Sequence, residues 1–395
     1  MTNHLITRIV SALVCAALFD CPTPALAQSS VSDVLDFLVT NQTIATGNPD
    51  RDRAAAQATS DTISRALLAN IATLPISTSS GGFVYRLDPT LGTVERQSAS
   101  FGPVFVERAI GPGQGSASIG LTFQHMQFTS LDGRHLRDGS LVTTANQFVD
   151  EPQPFDVDRL TLNLDADVAT VHANFGLTDD SEIGVALPFV ALRVDGSRVD
   201  VYRGQTFTQA SASATAIGMA DMLLHAKYGV YHGGLGAWGA AADFRLPTGR
   251  QRDLLGAGAK AVKVSAIGSL AGRSVTADGN VGYTFGGLAN ELSYAGALTA
   301  ASSDRLTWTA EIIGRWMDTP GQITSVALPH PTLRGAETLR LLPSSSTTRI
   351  LALAPGFKWN ASDTWVVVAS FTVPLTSGGL TTPFTPLGGV DYGLR

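Results

Sequence analysis

Cysteine is nearly absent from this chain of 395 residues: there are two, Cys15 and Cys21, and both fall in a stretch that reads as a secretory signal peptide. His4 and Arg8 precede a mostly apolar run from Ile9 to Phe19, and Ala25-Leu26-Ala27 forms a small-x-small cleavage site before Gln28. Asp20 stands where a lipidated Cys21 would want a small residue, and the apolar run is too short to span a bilayer. The chain from residue 28 onward has no cysteine, so it is expected to be exported without disulfides. Charge is scarce as well. Asp, Glu, Lys and Arg make up 15% of the residues, against about 25% in typical soluble domains. The net charge of −6 offers no basic surface for nucleic acid. Disorder is excluded by a 44% hydrophobic content, and the 40 glycines lack the every-third-residue period of collagen. Aromatic residues are few, at 7%, and no later segment reaches 18 consecutive apolar residues, which excludes transmembrane helices. Two kinds of molecule fit these shortages: a poorly soluble multidomain globule, or a protein with part of its surface out of water.

What is present is alternation. Leu160, Leu162, Leu164, Ala166 and Val168 interleave with Thr161, Asn163, Asp165 and Asp167. Ile183, Val185, Leu187 and Phe189 follow the same rule, as do Leu306, Trp308, Ala310, Ile312 and Trp316. Period two places one set on each face of a strand, in two different environments. Twelve such segments are expected, near 115–126, 158–175, 181–195, 219–231, 235–246, 261–270, 274–286, 289–300, 304–316, 348–359, 363–374 and 386–395.

The connections between them mostly alternate long and short. Residues 127–157, 196–218, 247–260, 317–347 and 375–385 read as long loops, with short turns between; Gly287-Leu288 is the exception. Short periplasmic turns and longer outer loops are the pattern of outer-membrane barrels, and an even strand number returns the C-terminus to the periplasm. A secreted soluble β-sandwich or β-helix would explain alternation and export but not this rhythm. The fold class expected is therefore all-β: an antiparallel transmembrane β-barrel of about 12 strands with a small helical N-terminal extension. One parity collects candidate lipid-facing residues: Leu224, Ala226, Tyr228 and Val230; Trp238, Ala240 and Phe244; Val281, Tyr283 and Phe285. Trp238, Trp316, Trp359 and Trp365 sit near strand ends, where interfacial girdles belong. The final strand alternates Val390, Tyr392 and Leu394 but ends on Arg395 rather than an aromatic residue.

Three divisions follow: a signal peptide, 1–27; an N-terminal periplasmic or plug segment, 28–114; and the barrel, 115–395. In the second, residues 31–43 and 50–72 have helical spacing, with Asn48 as a cap, Pro49 in the first turn, and Asp50 and Asp52 at the positive end. A hairpin-like stretch over residues 82–96 turns at Asp88-Pro89.

Gly218-Met219-Ala220-Asp221, Lys227-Tyr228, Leu246-Pro247-Thr248-Gly249 and Leu255-Gly256-Ala257-Gly258 together resemble the outer-membrane family named for the MetA pathway of phenol degradation. That family's pattern has Gly-x-Gly-Asp, a Lys-Tyr pair, Pro-Thr-Gly and Leu-Gly-x-Gly; Ala220 departs from it at the second glycine. The likeness covers about 180–375, with a less specific echo in Phe101-Gly102-Pro103 and Glu107-Arg108-Ala109. It implies an outer-membrane barrel and a channel for small aromatic or other hydrophobic molecules.

Parity alone aims Asp221, Lys227, Asp243, Arg245, Lys263, Asp278, Glu291, Arg305, Glu311 and Arg315 into the lumen. Asp221 and Lys227 are six residues apart on one strand, ~20 Å, so their partners must come from elsewhere. Two readings stay open for these charges: ion pairs that brace and fill a narrow barrel, or the selectivity lining of a water-filled pore. Likewise the barrel is read either as a channel or as a structural, partner-binding barrel whose loops 127–157 and 317–347 face outward. His125, His172 and His225 fall on strands, yet no Gly-x-Ser-x-Gly or His-Glu-x-x-His accompanies them, so no catalytic or metal-binding residue is assigned. No cofactor is implied. The partners expected are outer-membrane lipid and small hydrophobic molecules, with no nucleic acid. On a gel, unboiled protein is expected to migrate differently from boiled protein; identical migration would count heavily against a barrel.

Overall fold

A strand that crosses a bilayer must satisfy all its backbone N–H and C=O groups with neighbouring strands, and only a closed ring does so for every strand. The alternating segments of this chain form such a ring. The computed structural model describes residues 30–39, 49–71, 85–88, 93–96, 100–151, 153–233, 236–272, 274–318, 322–330, 332–344, 346–362 and 364–394. The signal-peptide stretch and the Asn48 cap lie outside the described residues. Twelve antiparallel strands make the barrel: β1 (Ala117–Phe128), β2 (Asp156–Gly176), β3 (Ser181–Tyr202), β4 in two pieces (Gln205–Met219 and Met222–Gly233), β5 (Gly236–Leu246), β6 (Ala261–Ala271), β7 (Val275–Gly286), β8 (Glu291–Ser303), β9 (Leu306–Met317), β10 (Thr348–Ser362), β11 (Trp365–Pro374) and β12 (Thr385–Leu394). Each pairs with the next, and β12 pairs with β1 to close the ring, with Leu387 opposite Gln124 and Leu394 opposite Ala117.

The outer wall is apolar. Trp238 is 62% exposed, Phe285 57% and Trp308 53%, and Leu224, Tyr228, Val264 and Val281 share that face. Aromatic residues gather at two levels. Trp238, Tyr231, Trp308 and Trp359 stand at one end of their strands, whereas Phe244, Phe285 and Trp316 stand at the opposite, outer end. This is a lipid-facing band between two interfacial girdles.

β2 and β3, at 21 and 22 residues, are about twice the length a membrane requires. Their outer halves rise above the band. The stretch 196–218, expected to be a loop, is instead the tip of a hairpin. β3 runs on to Tyr202, Arg203 and Gly204 turn the chain with φ of 46° and 80°, and β4 returns from Gln205. Two successive positive-φ residues give the turn twist that suits a hairpin. The small polar run from Gln205 to Thr215 hid an alternation whose inward members include Ala210 and Ala214.

In these outer halves the apolar parity points inward rather than to lipid. Leu160, Leu162, Leu164, Val190, Leu192 and Val194 form one buried cluster with α1 (Val31–Val39) and α2 (Pro49–Ile71), through Leu35, Leu38, Ile63 and Leu67. The long connections are also structured. Strands Leu141–Phe148, Ala336–Pro343 and Ile323–Pro329 extend the sheet beyond β2. Asp132 ties three outer segments together: its carboxylate accepts from the N–H of Ile323 and of Gly379, both at 2.7 Å.

The seam between β12, β1 and β2 carries one buried side-chain bridge. Asp391, Gly120 and His172 lie side by side in register, and His172 Nε2 meets Asp391 Oδ1 at 2.8 Å across the glycine. A Cβ on residue 120 would collide with both partners. Gly120→Ala is expected to break this bridge and to lower the temperature at which the gel-shifted form is lost. An unchanged transition would show that the bridge contributes nothing to closure.

Candidate functional site

The barrel interior is threaded by its own chain. Residues 100–111 run along the lumen, and the barrel's polar side chains hold their backbone. Glu311 accepts from three successive N–H groups, Val104 at 2.5 Å, Phe105 at 2.8 Å and Val106 at 3.0 Å. Lys358 donates to the Pro103 carbonyl at 2.6 Å, Thr307 accepts from the Phe101 N–H, and Ser269 accepts from the Ala109 N–H. Close approach at Ala109 is possible because inward-facing Gly239 has no side chain; a Cβ there would press on the Tyr228 and Ala109 carbonyls. An extended segment without periodic side chains buries unpaired backbone groups. A carboxylate and an ammonium are strong partners for them.

Around this segment the lumen charges sort into pairs. Lys227 meets Glu182, directly opposite on β3, at 2.7 Å. Arg315 meets Glu291 at 2.6 Å. Asp278 accepts from Ser269 at 2.6 Å, with Arg108 of the luminal segment 3.9 Å away. His225 stands between two carboxylates, with Nδ1 at 2.7 Å from Asp243 and Nε2 at 3.5 Å from Glu107. The donor atoms of these three lie within 4.8 Å of one another, close enough to consider a cation. The carboxylates, however, address opposite nitrogens of the ring, which suits an imidazole clamped between two acceptors. His125 and His172 likewise face carboxylates, Asp167 and Asp391.

Asp221, with none of its surface exposed, lies at the break between the two pieces of β4. Its carboxylate accepts from Gly249 N–H at 3.0 Å and Ala257 N–H at 2.7 Å. Thr248 fills the break itself: its hydroxyl donates to the Ala220 carbonyl at 2.8 Å and accepts from Met222 N–H at 2.9 Å. Above this point β4 pairs only with β3, while β5 ends at Leu246 opposite Met222. Residues 247–260 fold back to cover the discontinuity. Gly249 and Gly256 pack backbone to backbone there, each leaving no room for a Cβ. The three motifs Gly218–Asp221, Leu246–Gly249 and Leu255–Gly258 thus meet at one place and have one physical job, sealing the wall where β4 runs on past the end of β5.

A cavity of about 150 Å³ lies beside the luminal segment, lined among others by Phe105, Leu223, Asp243, Arg245, Lys263, Ile313, Arg315 and Met317. Lys263 reaches it across inward-facing Gly282, where a Cβ would strike the lysine chain. Of the ten charges that parity aimed inward, Asp221, Lys227, Asp243, Arg245, Lys263, Asp278, Glu291, Glu311 and Arg315 line the interior or this cavity. Arg305 does not. It occupies the exposed turn before β9, where Ala301 and Ser303 mark a register shift, so strand parity cannot be extended to it. Glu107, Glu182, Lys358 and Asp391 were missed. The last three have inward parity on their strands; Glu107 follows no strand pattern.

Above the membrane band, Asp158 sits opposite Asp200, with Asp156 and Arg198 as diagonal neighbours on the same face. Burial, and next a hydrogen bond to Asp200, raises Asp156 to about 7. Burial, opposed by Arg198, raises Asp158 to about 6.

No family model matches the chain, and no curated protein matches it. Solved structures are similar in fold. The COG4313 outer membrane channel from Pseudomonas putida F1 aligns at 13% identity over 72% of this chain and 98% of that one, with a TM-score of 0.47. A Pseudomonas aeruginosa FadL homologue aligns at 10% identity over 82% and 96%, with a TM-score of 0.32. The NanC porin aligns at 6% over 69% and 100%, with a TM-score of 0.38. With its lipid-facing band and closed ring, this chain is an outer-membrane β-barrel.

Two predictions follow from the geometry. Glu311→Leu leaves three buried N–H groups without their acceptor, each worth about 1–3 kcal/mol; faster amide exchange at Val104, Phe105 and Val106 is expected, with Glu311→Gln intermediate. The aspartates above the membrane hold protons more firmly folded than unfolded. Their stabilising contribution is therefore full below about pH 4 and is lost as pH rises through about 6 and 7. Amide protection over Asp156–Asp165 and Leu192–Tyr202 should fall between pH 5 and pH 8, and Asp158→Asn should flatten that fall.

Proposed function

We propose that this barrel is an outer-membrane channel for the passive entry of small, hydrophobic or aromatic molecules, with residues 100–111 as its internal constriction. The observation that carries this reading is the cavity beside the luminal segment, inside the barrel. Apolar side chains from the luminal segment and from three strands meet there beside polar groups, the composition of a small-molecule site rather than of a filled core. Helices and their apolar cluster occupy the outer mouth, so a wide aqueous pore is not what the geometry favours. The sealed break at Ala220-Asp221 lies next to the cavity, since Leu223, Arg245 and Ala257 belong to both. Parting of Thr248 from the break is the step that would open a side entrance from the lipid. The resemblance to the family of the MetA pathway of phenol degradation agrees with this substrate class, and its motifs fall on that break.

The second reading, a barrel that serves structure or partner binding, draws on the same filled mouth and on the sheet formed by Leu141–Phe148 and Ala336–Pro343. Uptake separates the two. Cells lacking the protein are expected to accumulate radiolabelled toluene more slowly than complemented cells, and planar bilayers with the full chain to show small, infrequent openings. Equal uptake in both strains would overturn the channel. Thr248→Val, which removes both hydrogen bonds from the break, is expected to change the uptake rate without changing the folded fraction on a gel.

A further inference from the structure

The charges around the cavity are unevenly satisfied. Three acids line it: Asp243 is bonded to His225, Glu291 accepts from Arg315, and Glu107 lies 3.5 Å from the other nitrogen of His225; Asp221, just behind, accepts from the Gly249 and Ala257 N–H groups. Two of the bases have no such partner. Arg245 on β5 and Lys263 on β6 both line the cavity, and among the described residues neither makes an ion pair or a hydrogen bond. Asp243 and Glu291 face both cations, yet each of these carboxylates is already bonded to another base; the five N–H donors of the guanidinium and the three of the ammonium have no direct acceptor among the described residues. Lys263 stands opposite Asp243, two residues from Arg245. The two cations are therefore diagonal neighbours on adjoining strands, about 7–8 Å apart at the backbone, and their long side chains can converge on one group.

Beside them the lining turns apolar, with Phe105, Leu223, Ile313 and Met317. The size restricts what fits. A cavity of this volume, lined by aliphatic and aromatic side chains, admits a benzene ring. Resting on the reading of the lumen as a passage, we propose that the cavity is a binding site for a single-ring aromatic carboxylate. Its ring lies among the apolar side chains, and its carboxylate bridges Arg245 and Lys263. The negative group gives the two cations a direct acceptor, and the ring displaces water from the apolar side. A charged solute held between two cations in the narrowest part of the barrel is selected there, ahead of neutral rings of the same size.

Calorimetry on the full chain in a non-ionic detergent tests this with three probes: benzoate, benzyl alcohol and acetate. Benzoate is expected to bind at least tenfold more tightly than either of the others. Arg245→Gln and Lys263→Gln should each weaken benzoate tenfold or more and leave benzyl alcohol unchanged, with folding checked by the gel shift. If a glutamine variant fails to fold, Arg245→Lys keeps the charge but loses the planar fork, and it should weaken benzoate less than tenfold. Benzoate binding no tighter than acetate would mean a simple anion site and overturn the proposal; binding no tighter than benzyl alcohol would mean an apolar site and overturn it too. Toluene uptake that still depends on the protein, in the absence of benzoate binding, would sink this inference while leaving the channel reading intact.

Discussion

Every part of this molecule answers to one demand, that no backbone N–H or C=O be left open to lipid. The ring of twelve strands meets it by pairing, but β4 loses its partner β5 halfway, keeping only β3, and would leave a gap. The Thr248 hydroxyl stands in for the missing strand by donating on one side of the break and accepting on the other. Asp221 then holds the covering loop by two of its own N–H groups. A threonine, an aspartate and a few glycines thus replace a stretch of sheet.

The same demand continues inside. Once residues 100–111 enter the lumen, their backbone groups also need partners, and no strand lies alongside to provide them. Glu311, Lys358, Thr307 and Ser269 do so from the wall. Each spends its charge or hydroxyl on the segment and is thereby withdrawn from the path of a solute. The lumen charges consequently divide into those that brace the protein and the few left facing space. Lys227 with Glu182 and Arg315 with Glu291 belong to the first group; Arg245 and Lys263 belong to the second.

Much of the fold was legible in the sequence because period-two alternation survives in most of the barrel strands. Parity fails where its premise fails. Arg305 is in a turn, and Gln205–Thr215 alternates between residues too alike in polarity to register as a pattern. Leu160, Leu162 and Leu164 alternate plainly, yet alternation cannot say which face meets lipid and which meets a helix packed inside. The role of Glu107 was unreadable for a different reason. Its partner His225 belongs to a strand over a hundred residues later, and the segment that carries it has no period to place it.

The bridge from His172 to Asp391 spans 219 residues of sequence and crosses the seam where the last strand meets the first. That carboxylate belongs to β12, the last strand in the chain, and reaches the imidazole of β2 over Gly120 of β1. The pair therefore exists only in a closed ring of the right register: a chain cut short before Asp391, or one whose final strand docks out of register, cannot make it. Placing the contact beside a glycine rather than a bulky residue ties the pair to one register alone.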